Sequence, residues 1–398
     1  MNFEDLHLKP ELLKAVRELE FTELTEIQEK SIPEIQAGKD IVGQSSTGSG
    51  KTAAFGLPIL QKIEHGKGIQ ALILTPTREL CVQVTDALRS FAKYTNVSVA
   101  SVFGGVSIEP QVNALRNADV IVGTPGRILD HTERRTINYQ NVRFLVIDEA
   151  DKMFEMGFIE DVEKIIRHIP NQRQTMLFSA TMPSEVRHIV EKHLISPVTI
   201  KGIVYVDTSL LRQVYYDVKP HDKFSLLVHL LKQNKEGIAL VFCATRREAD
   251  AVAFNLKEQG INAMAIHGGM EQNKRLKSVE ALKNETINVL VATDVAARGL
   301  DIRNVSHVYN YDVPKTSSDY IHRVGRTARA GGEGDAVTLL SERDHGSFTM
   351  VLRDRSLKIT RSEKPGFERV PFKRSEGREG GFRKHNFRRP SFNRRPRY

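Results

Sequence analysis

Short apolar runs rich in Val, Ile and Leu alternate along this chain with stretches patterned for amphipathic helices. "DIVGQ", "ALILT", "DVIVGT", "FLVIDEA" and "TMLFSAT" form a first set of runs, and "IALVFCAT", "NAMAIHG", "NVLVATD", "HVYNYD" and "DAVTLLS" a second. Between them, segments such as "ELLKAVREL" and "FIEDVEKIIRHI" space their apolar residues by three and four, the period of a helix with one buried face. Runs that are apolar throughout predict strands buried on both faces, so the pattern calls for parallel sheets covered by helices. The two sets also echo each other. "ALILTPTREL" (71–80) resembles "ALVFCATRRE" (239–248), and "DVIVGTPGRILD" (119–130) has a looser counterpart in "NVLVATDVAARGLD" (288–301). Such strands recur in all parallel α/β proteins, but two copies of one plan also account for 398 residues, too many for one ordinary domain.

Charge divides the chain differently. Residues 361–398 hold 13 Lys and Arg against 4 Asp and Glu, which is the whole net charge of +9. Residues 1–360 hold 45 of each sign, so basic character belongs to the tail and not to the body. The tail is rich in Arg, Gly, Pro and Ser, with Phe367, Phe372, Phe382, Phe387 and Phe392 spaced five or ten apart and no helical period. It is expected to be disordered, either as an RNA-binding extension or as a solubilising one. The longest apolar run, Ile238 to Ala244, is far too short to span a bilayer. "MNFEDLHLKPELL" lacks the basic and apolar regions of a signal peptide, and two cysteines in or beside apolar stretches imply no disulfide framework. A cytoplasmic location is expected.

Two motifs carry chemistry. "SSTGSGKT", Ser45 to Thr52, lies between a strand and a helical stretch. There, glycines let backbone N–H groups wrap phosphate oxygens at a helix N-terminus. Lys51 then reaches the terminal phosphates and Thr52 holds Mg²⁺. Taken alone, the run also fits a flexible turn before a helix. The second motif, "FLVIDEADKMF", ends a buried strand in three carboxylates within four residues. Such crowding needs a compensating cation or donor. Asp148 is placed to hold Mg²⁺ through water, and Glu149 to act as general base on an attacking water. An acidic first helical turn is the plainer alternative for this motif alone.

"DEAD" at 148–151 is the signature of the DEAD-box ATP-dependent RNA helicases, and residues 3 to about 345 resemble that family in order and spacing. "FTELTEIQ" (21–28), with Phe3 upstream, looks like its adenine-recognition motif, although Leu24 replaces the usual Pro and Glu20 the usual Gly. "PTREL", Gly104–Gly105 and "TPGR" (124–127) look like its first-domain RNA motifs, and "SAT" (179–181) is similar to the segment linking hydrolysis to unwinding. "VFCATR", Gln272 with Arg275, "ATDVAARGLD" and "HRVGRTAR" (322–329) match its second-domain motifs.

The resemblance implies an α/β fold of two RecA-like domains, with parallel sheets flanked by helices. Their expected bounds are 1–202 and 210–358, joined by a linker at 203–209 and followed by a disordered basic tail at 359–398. It implies ATP and Mg²⁺ as cofactors. Phe21, Gln28, Ser45, Ser46, Thr47, Gly48, Ser49, Gly50, Lys51, Thr52 and Asp301 would hold the nucleotide. Glu149 with Lys51, Arg326 and Arg329 would carry catalysis, and Asp151, Ser179, Thr181 and His322 would couple it to RNA. Arg78, Gly105, Thr124, Arg127, Arg246, Arg275 and Thr293 would contact RNA, chiefly at phosphate and sugar. Each arginine read singly is equally a surface ion-pair partner. The implied protein is a monomer that unwinds short RNA duplexes or remodels ribonucleoprotein complexes. A DNA translocase and an RNA clamp are the competing readings.

Overall fold

The computed structural model describes residues 2–45, 48–202, 211–234, 237–297, 302, 305–327, 334–354 and 357–373. The first domain carries β1 (Ile41–Gln44), β2 (Ala71–Leu74), β3 (Val99–Val102), β4 (Val120–Gly123), β5 (Phe144–Ile147), β6 (Gln174–Ser179) and β7 (Val198–Lys201). They form one sheet in the order β3-β4-β2-β5-β6-β1-β7. The second carries β8 (Leu211–Asp217), β9 (Ile238–Phe242), β10 (Ala263–Ile266), β11 (Val289–Ala292), β12 (Val305–Asn310), β13 (Gly334–Leu340) and β14 (Thr360–Arg361). Its order is β10-β11-β9-β12-β13-β8-β14, the same permutation shifted by seven strands. Every pairing within the two sheets is parallel. The sequence echoes therefore mark equivalent strands, β2 with β9 and β4 with β11.

Continuous apolar runs appear because both faces of each sheet are covered. In β2, Ala71 and Ile73 enter one core cluster and Leu72 and Leu74 the other. In β9, Ala239 and Val241 face one cluster while Leu240 and Phe242 face another. Alternating residues of a strand point to opposite faces, so a doubly covered strand has no polar side to show. No described helix is long and apolar enough to cross a membrane.

The sequence reading places disorder from residue 359 onward, and over 359–373 the structure corrects it. Thr360–Arg361 is the seventh strand of the second sheet, paired with β8 as β7 pairs with β1. Beyond it the chain runs as an extended strap over the second domain, with Phe367, Val370 and Phe372 packed against its core. The Phe372 ring lies 4.9 Å from Phe224 between centroids. Arg369 bonds Asp222 through Nε at 2.7 Å, and the Asn255 amide brackets the Lys373 backbone at 2.8 and 2.9 Å. An extended strap has no helical period, and its partners lie over a hundred residues away, so local pattern could not reveal it. The expected linker at 203–209 and the tail beyond residue 373 lie outside the described residues.

Candidate functional site

Parallel strands bring all their carboxyl ends to one edge, where loops meet helix N-termini, and ligands bind open α/β sheets there. After β1 the chain turns through Gly48 and Gly50, at φ of 80° and 92°, into the helix Lys51–Lys62. A side chain at Gly50 would also collide, since a Cβ there falls 2.4 Å from Gln28 Nε2. Gln28 is buried and braces this loop: its Nε2 donates to the Gly50 carbonyl at 3.0 Å, and its Oε1 accepts from Thr25 N–H at 2.9 Å. Thr25 Oγ1 donates to the Ser49 carbonyl at 2.7 Å. Phe21 packs between Phe3 and Phe91, with ring centroids 5.8 and 6.1 Å away, and so seats the 21–28 segment. Lys51 Nζ donates to the Ser45 carbonyl at 3.1 Å, and Ser45 Oγ lies 3.0 Å from Ser49 Oγ. Thr52 is half-buried at the second position of the helix.

Opposite the loop, β5 delivers the acidic run. Asp148 continues the β2–β5 ladder through its N–H to the Leu74 carbonyl at 2.9 Å, and its Oδ1 accepts from Glu149 N–H at 3.0 Å. Burial pushes the Asp148 carboxyl up to about 7, with Lys51 pulling down and Glu149 pushing up. Glu149 has φ 51° and is likewise raised by burial, opposed by Lys51 and by Arg326 of the second domain. Asp151 turns away and fastens the end of β6: its Oδ2 accepts from Thr181 N–H at 3.0 Å and from Thr181 Oγ1 at 3.1 Å. Ser179 Oγ accepts from Asp151 N–H at 3.1 Å and donates to the Thr181 carbonyl at 2.7 Å. Among the described residues no group of three or more His, Cys, Asp or Glu could hold a metal by itself. A buried carboxylate resisting ionisation beside a threonine-bearing loop still fits a hard cation that takes its other ligands from phosphate and water.

The helix Ser317–Val324 brings the second domain's contribution. Thr316 caps it, accepting from Asp319 N–H at 3.1 Å. Arg323 is buried and holds it in place. Its Nε and Nη2 meet both Asp294 oxygens at 2.6 and 2.8 Å, and its Nη1 donates to Asn310 Oδ1 at 3.1 Å. That anchorage brings the charge of Arg326, 5% exposed, within electrostatic reach of Glu149, and His322 to Lys152 of the first domain, Nδ1 to Nζ 3.0 Å. Ser46, Thr47, Asp301 and Arg329 lie outside the described residues.

The residues expected at RNA line the same edge of both sheets. Arg78 opens the helix after β2 and lies over Gly104–Gly105, and a Cβ on Gly105 would fall 2.0 Å from its Nη1. Thr124 sits at the N-cap position of the helix after β4 with its side chain uncommitted to the helix backbone, and Arg127 in that helix donates twice to the Val106 carbonyl at 3.2 Å. In the second domain Arg246 is exposed beside Gly268–Gly269, and Thr293 follows β11. Arg275 is engaged differently, with Nη2 2.9 Å from Glu79 Oε2 across the cleft. Gln272 completes a clasp, donating to Glu79 Oε1 at 2.9 Å and accepting from Arg78 Nη1 at 3.3 Å. Glu79, Lys152 and the Gly268–Gly269 pair were not expected here. The last was legible, since "HGG" after β10 repeats "FGG" after β3.

Comparison with known proteins agrees with this arrangement. Residues 25–189 match the DEAD/DEAH box helicase family, and residues 222–331 match the helicase conserved C-terminal domain. The DEAD-box ATP-dependent RNA helicase CshA of Bacillus cereus is 44% identical over 366 residues, 91% of this chain and 70% of that protein. Among solved structures, S. cerevisiae Dbp5 bound to RNA and ADP BeF3 superposes with a TM-score of 0.82 at 32% identity, covering 91% of this chain and 96% of that one. The DEAD box protein of the hyperthermophile Methanococcus jannaschii, at 42% identity with 91% and 99% covered, reaches 0.56.

Proposed function

This chain belongs to the DEAD-box ATP-dependent RNA helicases, and from that premise we propose that it separates short RNA duplexes, or remodels RNA–protein complexes, by closing its two domains around ATP–Mg²⁺ and single-stranded RNA. The observation that carries the reading is that the domains meet beside the acidic run, with Lys152 Nζ 3.0 Å from His322 Nδ1 and the Arg326 charge near enough to Glu149 to pull its carboxyl down. Phosphoryl transfer to water needs a base on one side of the γ-phosphate and positive charge around it. The first domain holds the base and, in Lys51, part of that charge, and the second supplies the rest through Arg326. Hydrolysis then waits on closure, and a ligand bridging the domains drives it. RNA and ATP each stabilise the closed form, so each tightens binding of the other.

Each residue has a part in this scheme. The backbone of 45–50 cradles phosphate and Lys51 meets its terminal oxygens. Mg²⁺, held by Thr52 and through water by Asp148, would neutralise charge on the phosphates. Glu149 takes a proton from the attacking water, and a carboxyl raised by burial is better suited to that task near neutral pH. Arg326 and Arg329 complete the charge around the transferred group, while Asp301 and the 21–28 segment hold the nucleoside. Asp151 with Ser179 and Thr181, and His322 opposite, carry closure between the nucleotide and the RNA edge. Arg78, Gly105, Thr124, Arg127, Arg246 and Thr293 hold the RNA backbone, and Arg275 helps by clasping the domains. The superposition on a relative carrying RNA and ADP BeF3, with a TM-score of 0.82, supports the closed reading. The domains are taken as 1–202 and 210–373 around the 203–209 linker, and the working unit as a cytoplasmic monomer.

The test is ATP turnover with matched RNA and DNA, together with strand separation of a short RNA duplex. RNA-stimulated turnover that Glu149→Gln abolishes supports the reading. Equal stimulation by DNA would point to a translocase, and full activity of Glu149→Gln to a different base.

A further inference from the structure

Lys152 follows the acidic run directly, and its side chain is 7% exposed although it ends in an ammonium. It has two contacts, Glu155 Oε1 at 2.8 Å within its own helix and His322 Nδ1 at 3.0 Å across the cleft. An ammonium has three N–H donors and no lone pair. At that distance the imidazole can only accept, which leaves Nδ1 bare and puts its proton on Nε2. The contact thus selects one tautomer of one residue on the helix that ends two residues before Arg326.

We infer that Lys152 is a positioning residue for hydrolysis: its ammonium, balanced by Glu155, reaches across the cleft to the Nδ1 lone pair of His322 and holds the helix that leads into Arg326 against the first domain. The inference rests on the closure reading above. It adds a residue outside the nucleotide and RNA sets, acting through His322 and not on the substrate.

A second consequence follows from the groups around the imidazole. Asp151, Lys152 and Glu155 face it from the first domain, with Asp319, Arg323 and Arg326 on or beside its own helix and Asp294 behind. Burial, then Lys152, push His322 down to about 4. Separated domains return the ring to water and to the ordinary value of about 6.5. The open form therefore binds the extra proton, and closure weakens as pH falls below about 6.5, by about tenfold per unit.

The experiment uses the full chain and a short labelled single-stranded RNA, its affinity read by fluorescence anisotropy with and without AMP-PNP and Mg²⁺, after thermal melts establish folding. Wild type should bind RNA more tightly with the nucleotide. Lys152→Met should lose about tenfold of that tightening, the usual weight of a hydrogen bond to a charged group. Lys152→Arg, which keeps the charge and a donor, should restore most of it. Lys152→Met added to His322→Ala should cost nothing further, and the coupling in His322→Ala, which lacks the imidazole, should fall less steeply between pH 7.5 and 5.5 than that of wild type. Full tightening in Lys152→Met, an equal loss with and without nucleotide, or an unchanged pH profile would each overturn the role. No tightening in wild type would overturn the closure reading itself.

Discussion

Arg78 and Arg246 are one position of a single structural plan used twice. Each is the first residue of the helix that follows an equivalent strand, β2 or β9. Each helix is capped by a threonine, Thr77 or Thr245, whose Oγ1 accepts an N–H three residues on at 3.2 Å. Each guanidinium lies against a Gly-Gly pair at the end of the next strand, Gly104–Gly105 or Gly268–Gly269. Two cations so placed, one per domain, suit a backbone that runs across both and is gripped at phosphate and not at base edges.

Arg326→Ala should reduce RNA-stimulated ATP hydrolysis by about a hundredfold or more, the weight of an arginine that stabilises a transferring phosphoryl group. ATP affinity should change by only about threefold, because a charge supplied by the far domain counts mainly on closure. Single-turnover hydrolysis alongside equilibrium binding of a fluorescent ATP analogue separates the two. Normal turnover would remove Arg326 from the site.

Without nucleotide and Mg²⁺, Asp148 should make the protein less stable as pH rises. Its carboxyl titrates at about 7 in the folded chain, against 3.8 in a model compound. The folded state therefore holds a proton that the unfolded state releases, and stability falls from about pH 4 to about pH 7, then levels. Asp148→Asn should melt higher than wild type at pH 8, by up to a few kcal/mol, and match it near pH 4. Scanning calorimetry at the two pH values reads the difference. A destabilised Asp148→Asn at pH 8 would show that Lys51 outweighs burial.

The strap and the tail beyond it should separate cleanly in truncations. Ending the chain after residue 373 should leave the melting temperature unchanged while weakening RNA affinity and flattening its salt dependence, since 374–398 carries 9 Lys and Arg against 2 Glu. Ending it after 359 removes β14 and the Phe367, Val370 and Phe372 contacts. That should cost about 2–4 kcal/mol of second-domain stability. Equal melting of both truncations would mean that the strap contributes nothing.

Glu79→Gln should impair closure rather than either ligand site alone. It leaves the Arg275 guanidinium, largely buried at 12% exposure, without its carboxylate, a loss of about 2 kcal/mol or more. RNA-stimulated kcat/KM should fall more than tenfold, with basal ATP affinity little altered. Loss of basal ATP affinity to the same degree would place Glu79 in the nucleotide site instead.

Much of this protein is legible in its sequence because the decisive information is local. Doubly covered strands must be apolar throughout, a phosphate loop needs its glycines in a fixed run, and an acidic triplet at a strand end stands out wherever it lies. The repeat went further than its echoes suggested, extending to an identical strand order. The engagements made at long range were not legible. Glu79 reads as one acid on a helix until Arg275 and Gln272, nearly two hundred residues later, are brought against it. Lys152 reads as a surface lysine until His322 arrives, and Phe372 as part of a low-complexity tail until Phe224 receives it. Sequence determined the two halves and their chemistry, since backbone conformation and strand burial are set by neighbouring residues. Only the tertiary structure decided how the halves engage, because a partner across a cleft leaves no period or spacing in the chain that must meet it.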